Sequence, residues 1–147
     1  MIRHATTLDR DYIVEFVKRF YQQTSYSKIA PFCNETVANL TEHLIKTGIM
    51  LLATHEGKLI GILGLAITPF IFNSNYLSCT EVIWYVDPEH QKSGIGVELI
   101  QRADKIRQLK GCASFQMVRL EESPAKLDEL FLKLGFKPTE YCFTKVD

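Results

Sequence analysis

The sequence predicts an α/β domain in which a sheet of six or seven strands is flanked by about four helices. Three observations support this prediction. A chain of 147 residues has the usual length of one domain. The hydrophobic share of 46% is sufficient for a core. Short apolar segments typical of strands also alternate with amphipathic segments typical of helices. We therefore expect residues 1–147 to form a single domain.

The N-terminal third is predicted to contain one strand and two helices. Residues 2–6 form the short strand. Asp9 is suited to cap a first helix with one apolar face, and Asn34 to cap a second helix that ends at Gly48. The polar and aromatic segment 22–32 lies between the helices and is predicted to be a loop.

Three strands are predicted in the middle of the chain. The first two are apolar on both faces, which is typical of strands covered on both sides. His55, Glu56 and Gly57 between them favour a tight hairpin turn. The segment 69–78 is rich in Phe, Asn and Tyr and is predicted to be a loop. The three strands span residues 49–54, 58–67 and 79–86, and the last ends at Asp87-Pro88.

The C-terminal part is predicted to alternate between helix and strand. A helix with apolar residues at spacings of three and four begins near Gly94, and residues 113–119 form a strand. Ser123-Pro124 begins a last helix, and Gly135 ends it. Residues 136–146 are predicted to supply one or two closing strands.

The composition excludes several classes of function. Seventeen basic side chains balance seventeen acidic ones, so nothing favours nucleic acid or an anionic membrane as a partner. The apolar runs are too short to span a bilayer, and the N-terminus lacks the apolar core of a signal peptide. We therefore expect a cytoplasmic protein. The four cysteines show no zinc spacing, and no metal is expected.

The segment Gln91 to Gly96, which reads Q-K-S-G-I-G, carries the clearest chemical signal. It joins the strand that ends at Val86 to the helix that begins near Gly94. The first turn of a helix has unpaired N–H groups and the positive end of the helix dipole. Glycine lets an anion approach such a backbone closely. The segment therefore predicts a site for a phosphate or pyrophosphate.

This segment resembles the Gln/Arg-x-x-Gly-x-Gly/Ala signature of the GNAT family of N-acetyltransferases. Two further segments resemble that family in the same order. They are the hairpin E-G-K-L-I-G of residues 56–61 and the helix K-L-D-E-L-F-L-K-L-G-F of residues 126–136. The resemblance covers nearly the whole chain. It implies a mixed, mostly antiparallel sheet that is splayed between the fourth and fifth strands.

The resemblance also implies acetyl-CoA as cosubstrate. In this family the glycine-bearing loop holds the pyrophosphate, and the pantetheine arm lies between the splayed strands and pairs with the backbone of the fourth. The binding residues implied here are Trp84, Tyr85 and Val86 on the strand, followed by Gln91, Lys92, Ser93, Gly94, Ile95, Gly96 and Val97.

Glu81 is the predicted catalytic base. A carboxylate on a mostly apolar strand is costly to bury without a partner, so we expect it to face the cleft. Some GNAT enzymes use a glutamate in this region as base, through water. The alternative is a structural or solvent-facing glutamate, and Glu121 and Glu122 are weaker candidates. Regular alternation along the strand predicts that Cys79, Glu81, Ile83 and Tyr85 share one face.

Two positions depart from the family pattern. Many members have a tyrosine that protonates the leaving thiolate, and here Phe131 stands in its place. Tyr85 or Tyr141 could substitute, or the thiolate could leave unaided. Ser123-Pro124 replaces an asparagine that contacts the cofactor in some members, which puts that contact in doubt.

The function predicted from the sequence is acetyl transfer from acetyl-CoA to a primary amine of a small molecule or protein. Homodimers are common in the family, so a homodimer is a further option. Phe131 motivates one alternative, a non-catalytic acyl-CoA-binding module. A second alternative is an α/β protein–protein adaptor without a cofactor. The walls of the acceptor site are expected to come from segments 22–32 and 69–78.

Overall fold

A computed structural model describes all residues from 1 to 147, and its central feature is one mixed sheet with helices on both faces. The strands are β1 (Ile2–His4), β2 (Ile49–His55), β3 (Lys58–Phe70), β4 (Asn73–Val86) and β5 (Cys112–Gln116). The helices are α1 (Arg10–Tyr21), α2 (Asn34–Thr47), α3 (Ile95–Leu109) and α4 (Leu127–Lys133). The sheet order is β1-β2-β3-β4-β5, antiparallel up to β4 and parallel between β4 and β5. The predicted mixed, mostly antiparallel sheet is confirmed.

The sheet separates two apolar clusters. Leu99 and Ala103 of α3 are fully buried in one cluster, and the partly buried Phe131 of α4 packs against it. Phe16 of α1 and Leu44 of α2 are buried in the other cluster. Strands β2 and β3 contribute side chains to both clusters, which explains why they are apolar on both faces. None of the four helices combines the length and the apolar character needed to cross a bilayer.

The hairpin between β3 and β4 is longer than predicted. Pro69 pairs with Leu77 and Phe70 pairs with Asn73, so the segment expected to be a loop is mostly strand. Pairing between β2 and β3 ends where Ile49 meets Leu65, and the hairpin continues beyond it into solvent. The outer part of this hairpin buries neither face, so its sequence does not need the apolar pattern of a buried strand. Its polar residues are therefore typical of a loop.

A β-bulge interrupts β4 at Val82. Ile83 pairs with Gly64 while Glu81 pairs with the next residue of β3, Leu65, which leaves Val82 as the extra residue. The face assignment predicted for β4 is therefore wrong. Cys79 belongs to the cluster under α3, whereas Ile83 and Tyr85 belong to the cluster under α1 and α2.

The chain does not form the predicted closing strands, and the sheet has five strands instead of six or seven. No backbone hydrogen bond involves residues 137–147. Pro138 has no N–H to donate to β5, and the large side chains of Tyr141 and Phe143 remain in solvent. Strand β5 also ends at Gln116 rather than at residue 119.

Candidate functional site

The fourth and fifth strands separate halfway along β4. They pair from Leu77 to Thr80, and no pairing continues from Glu81 to Val86. The predicted splay is therefore confirmed. It leaves one edge of β4 open over its last six residues, beside the segment that follows β5.

Only alternate residues of β4 present their backbone groups to this gap. The N–H of Asp87 donates to the carbonyl of Ile60 on β3 at 2.8 Å. Because backbone groups of an antiparallel pair alternate in direction, those of Tyr85 face β3, and those of Trp84 and Val86 face the gap. The structure thus brings Trp84 and Val86, but not Tyr85, to the predicted pantetheine site.

A cleft of about 140 Å³ occupies the gap. Its walls are mostly apolar and come from parts of the chain that are distant in sequence. Phe20 and Tyr26 come from α1 and the turn after it, and Val118 and Leu127 come from the segment after β5 and from α4. Glu81 is the only carboxylate in the lining. The cleft therefore combines an apolar interior with one acidic group.

Glu81 links β4 to the segment that follows β5. One carboxylate oxygen accepts a hydrogen bond from the N–H of Val118 at 2.7 Å. Burial raises the pKa of Glu81 from 4.5 to about 7, and the hydrogen bond from Val118 opposes this increase only in part. The carboxyl group can therefore both accept and release a proton near neutral pH.

The start of α3 offers free hydrogen-bond donors at the other end of the gap. Gly94 precedes the helix with a φ of 84°, a conformation that favours glycine, and a side chain there would meet no neighbour. The Oγ of Ser93 accepts a weak hydrogen bond from Ile95 at 3.4 Å. The N–H groups of Gly96 and Val97 have no partner. This arrangement suits an anion.

Other residues of the predicted loop have different positions. The side-chain amide of Gln91 donates to the carbonyl of Val86 at 3.0 Å, so Gln91 fastens the loop to the end of β4. Lys92 is exposed and forms no ion pair. Ile95 is partly buried and packs against the core. Of the loop, Gly94, Gly96 and Val97 present the groups best placed for a ligand.

The tyrosines predicted as substitute acids lie away from the cleft. The ring of Tyr85 is buried between Phe16 and Phe20, and its hydroxyl accepts a hydrogen bond from Gln23 at 3.3 Å. Tyr141 is 84% exposed on the C-terminal segment. The tyrosine that lines the cleft is Tyr26, which lies in the segment 22–32 expected to form the acceptor wall.

Phe131 packs within an aromatic group rather than lining the cleft. Its ring centroid lies 5.8 Å from that of Trp84 and 5.8 Å from that of Phe136. The α4 residue that reaches the cleft is Leu127, one helical turn earlier, and Ser123 lines it as well. The structure therefore supplies no proton donor from α4 at the cleft.

Glu122 has a structural partner. Its carboxylate accepts a hydrogen bond from the N–H of Ser25 at 2.6 Å, which ties the segment after β5 to the turn after α1. Hydrogen bonds from its own backbone and from Ser25 lower the pKa of Glu122. A lowered pKa makes this carboxylate a weaker base than Glu81. Glu121 is exposed and does not line the cleft.

A larger depression of about 330 Å³ lies between α1 and the start of α2. It is lined mainly by charged side chains, and its arginine, Arg10, already pairs with Asp11 and Glu42. The structure contains no group of three or more His, Cys, Asp or Glu residues that could hold a metal ion. The cleft at Glu81 is therefore the better candidate site.

Comparison with known proteins agrees with this geometry. The family model described as "Acetyltransferase (GNAT) domain" matches residues 46–138, which is more than half of the chain. No curated protein matches the sequence.

Several solved structures share the fold. A transcriptional regulator from Bacillus halodurans is 18% identical, with a TM-score of 0.78 over 100% of this chain and 99% of that one. A predicted acetyltransferase from Clostridium acetobutylicum, solved with acetyl-CoA, is 15% identical, with a TM-score of 0.77 over 99% and 95%. An aminoglycoside 6'-N-acetyltransferase from Acinetobacter haemolyticus is 20% identical, with a TM-score of 0.69 over 100% and 99%.

Proposed function

This chain belongs to the GNAT acetyltransferase family, and from that premise we propose that it transfers an acetyl group from acetyl-CoA to a primary amine by direct attack. The observation that carries the proposal is the position of Glu81. Its carboxylate lies at the point where β4 and β5 separate, and its pKa of about 7 suits proton transfer at neutral pH.

The residues around the gap fit acetyl-CoA. The N–H groups of Gly96 and Val97 would bind the pyrophosphate at the start of α3, and Gly94 leaves room for its approach. The backbone groups of Trp84 and Val86 would bind the pantetheine arm. The carbonyl of Val86 already accepts from Gln91, so its N–H remains as the available group.

Acetyl-CoA supplies the activated acyl group when it is bound. The amine must lose its proton before it can attack, and Glu81 would accept that proton directly or through one water molecule. The mostly apolar walls lower the polarity around Glu81 and would hold the amine near the acyl carbon. Cysteine, a comparable alkyl thiol, has an ordinary pKa of about 8.5, so a thiolate can leave near neutral pH without a dedicated acid.

The lining favours an acceptor with one amine on an apolar body. Glu81 is the only carboxylate available to a cation, and Phe20, Tyr26 and Leu127 offer apolar contact. An arylalkylamine therefore fits this site better than a polycationic amine.

The decisive experiment measures free-thiol release from acetyl-CoA with a panel of amines. We expect turnover with phenethylamine to exceed turnover with spermidine or an aminoglycoside. Glu81→Gln should lower the rate on the order of 100-fold, as expected for loss of a general base, while CoA affinity measured by calorimetry stays unchanged. Glu121→Gln removes an exposed acid nearby and serves as the control.

A non-catalytic acyl-CoA-binding module is the second candidate function. The observation that favours it is the aromatic environment of Phe131, which leaves the cleft without a donor from α4. This candidate predicts CoA binding without thiol release for any amine. Turnover that depends on Glu81 would exclude it, and failure to bind CoA at all would contradict both candidates.

A further inference from the structure

The indole N–H of Trp84 is a buried donor without a partner. Its Nε1 atom is inaccessible to solvent and makes no hydrogen bond in the structure. A buried tryptophan N–H is usually paired, because an unpaired one loses its hydrogen bond to water without replacement. Exceptions of this kind call for a physical explanation.

The position of the ring indicates what the missing partner is. A Cβ atom added to Gly96 would lie 3.1 Å from Cζ2 of Trp84 and 3.6 Å from Cε2, the carbon bonded to Nε1. The indole edge that carries the N–H therefore lies against the first turn of α3. The unpaired N–H groups of Gly96 and Val97 belong to the same turn. Trp84 also lines the cleft, and the ring of Phe131 packs against its ring with a centroid distance of 5.8 Å.

We propose that the indole N–H of Trp84 donates a hydrogen bond to a phosphate oxygen of CoA at the start of α3. This inference rests on the proposed function, and it assigns a binding role to the side chain of Trp84 in addition to its backbone. Three donors, one from a side chain on β4 and two from the backbone of α3, would then meet one anion. A charged acceptor would suit a buried donor that has no partner in the protein, since hydrogen bonds to charged groups are the stronger ones.

The chain offers a direct spectroscopic test because Trp84 is its only tryptophan. A ¹⁵N-labelled sample should show one indole N–H resonance. We expect CoA to shift this resonance and to slow exchange of its proton with solvent. Pantetheine has the same amide carbonyls but no phosphate, so at saturation it should shift the resonance less than CoA does and should not slow exchange of the indole proton. A resonance that stays in place when CoA saturates the protein would overturn the inference, and an equal response to pantetheine would overturn the phosphate assignment.

Affinity measurements give a second test. Trp84→Phe keeps an aromatic ring and removes the donor, so we expect the Kd for CoA to rise about tenfold, as for loss of one hydrogen bond to a charged group. Phe131→Leu disturbs the packing of the same ring but keeps the indole N–H, and its Kd should stay within about twofold of wild type. Equal loss of affinity in both variants would assign the effect to packing and overturn the inference. Failure of the wild-type protein to bind CoA would instead overturn the proposed function.

Discussion

The raised pKa of Glu81 has a consequence for stability that can be measured without any substrate. The folded protein binds a proton at Glu81 more tightly than the unfolded chain does, because burial raises the pKa from 4.5 to about 7. Stability from the protonated form is therefore fully present below pH 4.5 and is lost as the pH rises to about 7. At neutral and alkaline pH, the folded state bears the cost of a buried carboxylate.

Glu81→Gln should remove this cost. The glutamine side chain is uncharged, nearly the same size, and still offers an oxygen to the N–H of Val118. Linkage between the two pKa values gives a stabilisation of about 1 kcal/mol at pH 5 that grows to about 3 kcal/mol at pH 8. The variant should thus be more stable than wild type, and increasingly so as the pH rises.

Urea denaturation at pH 5, 6, 7 and 8 measures this difference. Glu121→Gln provides the matched control because it removes one negative charge from an exposed position in the segment after β5. We expect its free energy of unfolding to equal that of the wild-type protein at every pH. A difference between Glu81→Gln and wild type that stays constant from pH 5 to pH 8 would refute the reasoning, since burial of a charge must produce a pH-dependent difference.

Two further predictions concern the start of α3 and the last helix. Asparagine tolerates the left-handed conformation of Gly94 and meets no neighbour there, so Gly94→Asn should fold normally and raise the Kd for CoA at least about tenfold by obstructing the backbone. Gly111→Asn is the matched control, with a φ of 76° and open space at the opposite end of α3, and calorimetry should give it a wild-type Kd. Phe131→Tyr should lower the free energy of unfolding by about 1 kcal/mol without raising the acetylation rate, because the new hydroxyl would lie among Trp84 and Phe136. A faster Phe131→Tyr enzyme would show that the ring edge reaches the leaving thiolate.

The parts of the fold that could be predicted from sequence are those governed by local periodicity. The apolar stripes of α1 and α3 and the two-sided apolar pattern of β2 and β3 follow from how each element packs. Glu56 and Gly57 form a turn between β2 and β3, where the sequence predicts a tight hairpin turn, and both residues have positive φ. The projecting end of the β3–β4 hairpin could not be predicted, because its residues gain pairing without burial.

The bulge at Val82 had one signal in the sequence. Gly64 is one of two glycines in β3 and lies opposite Ile83, and a glycine in a strand often marks a bulge or a close approach. A Cβ atom at Gly64 would lie 2.9 Å from Sδ of Met50 and 3.1 Å from Cγ2 of Ile83. Without the bulge, Glu81 and Ile83 would lie on the same face of the sheet. The extra residue at Val82 shifts the register by one, so Ile83 lies on the face under α1 and α2.

The chemistry of Glu81 could not be predicted in full because its cause lies in other parts of the chain. The strand pattern identifies a carboxylate among apolar residues, but the pKa depends on what covers it. Phe20 and Tyr26 come from more than fifty residues earlier, and Val118 comes from beyond α3. The bond between Glu122 and Ser25 holds two of these segments together without touching Glu81. It follows that a variant that loosens this bond would admit water to the cleft and lower the pKa of Glu81 toward its ordinary value. The lower pKa would weaken Glu81 as a base. Every residue of the loop at α3 would stay in place.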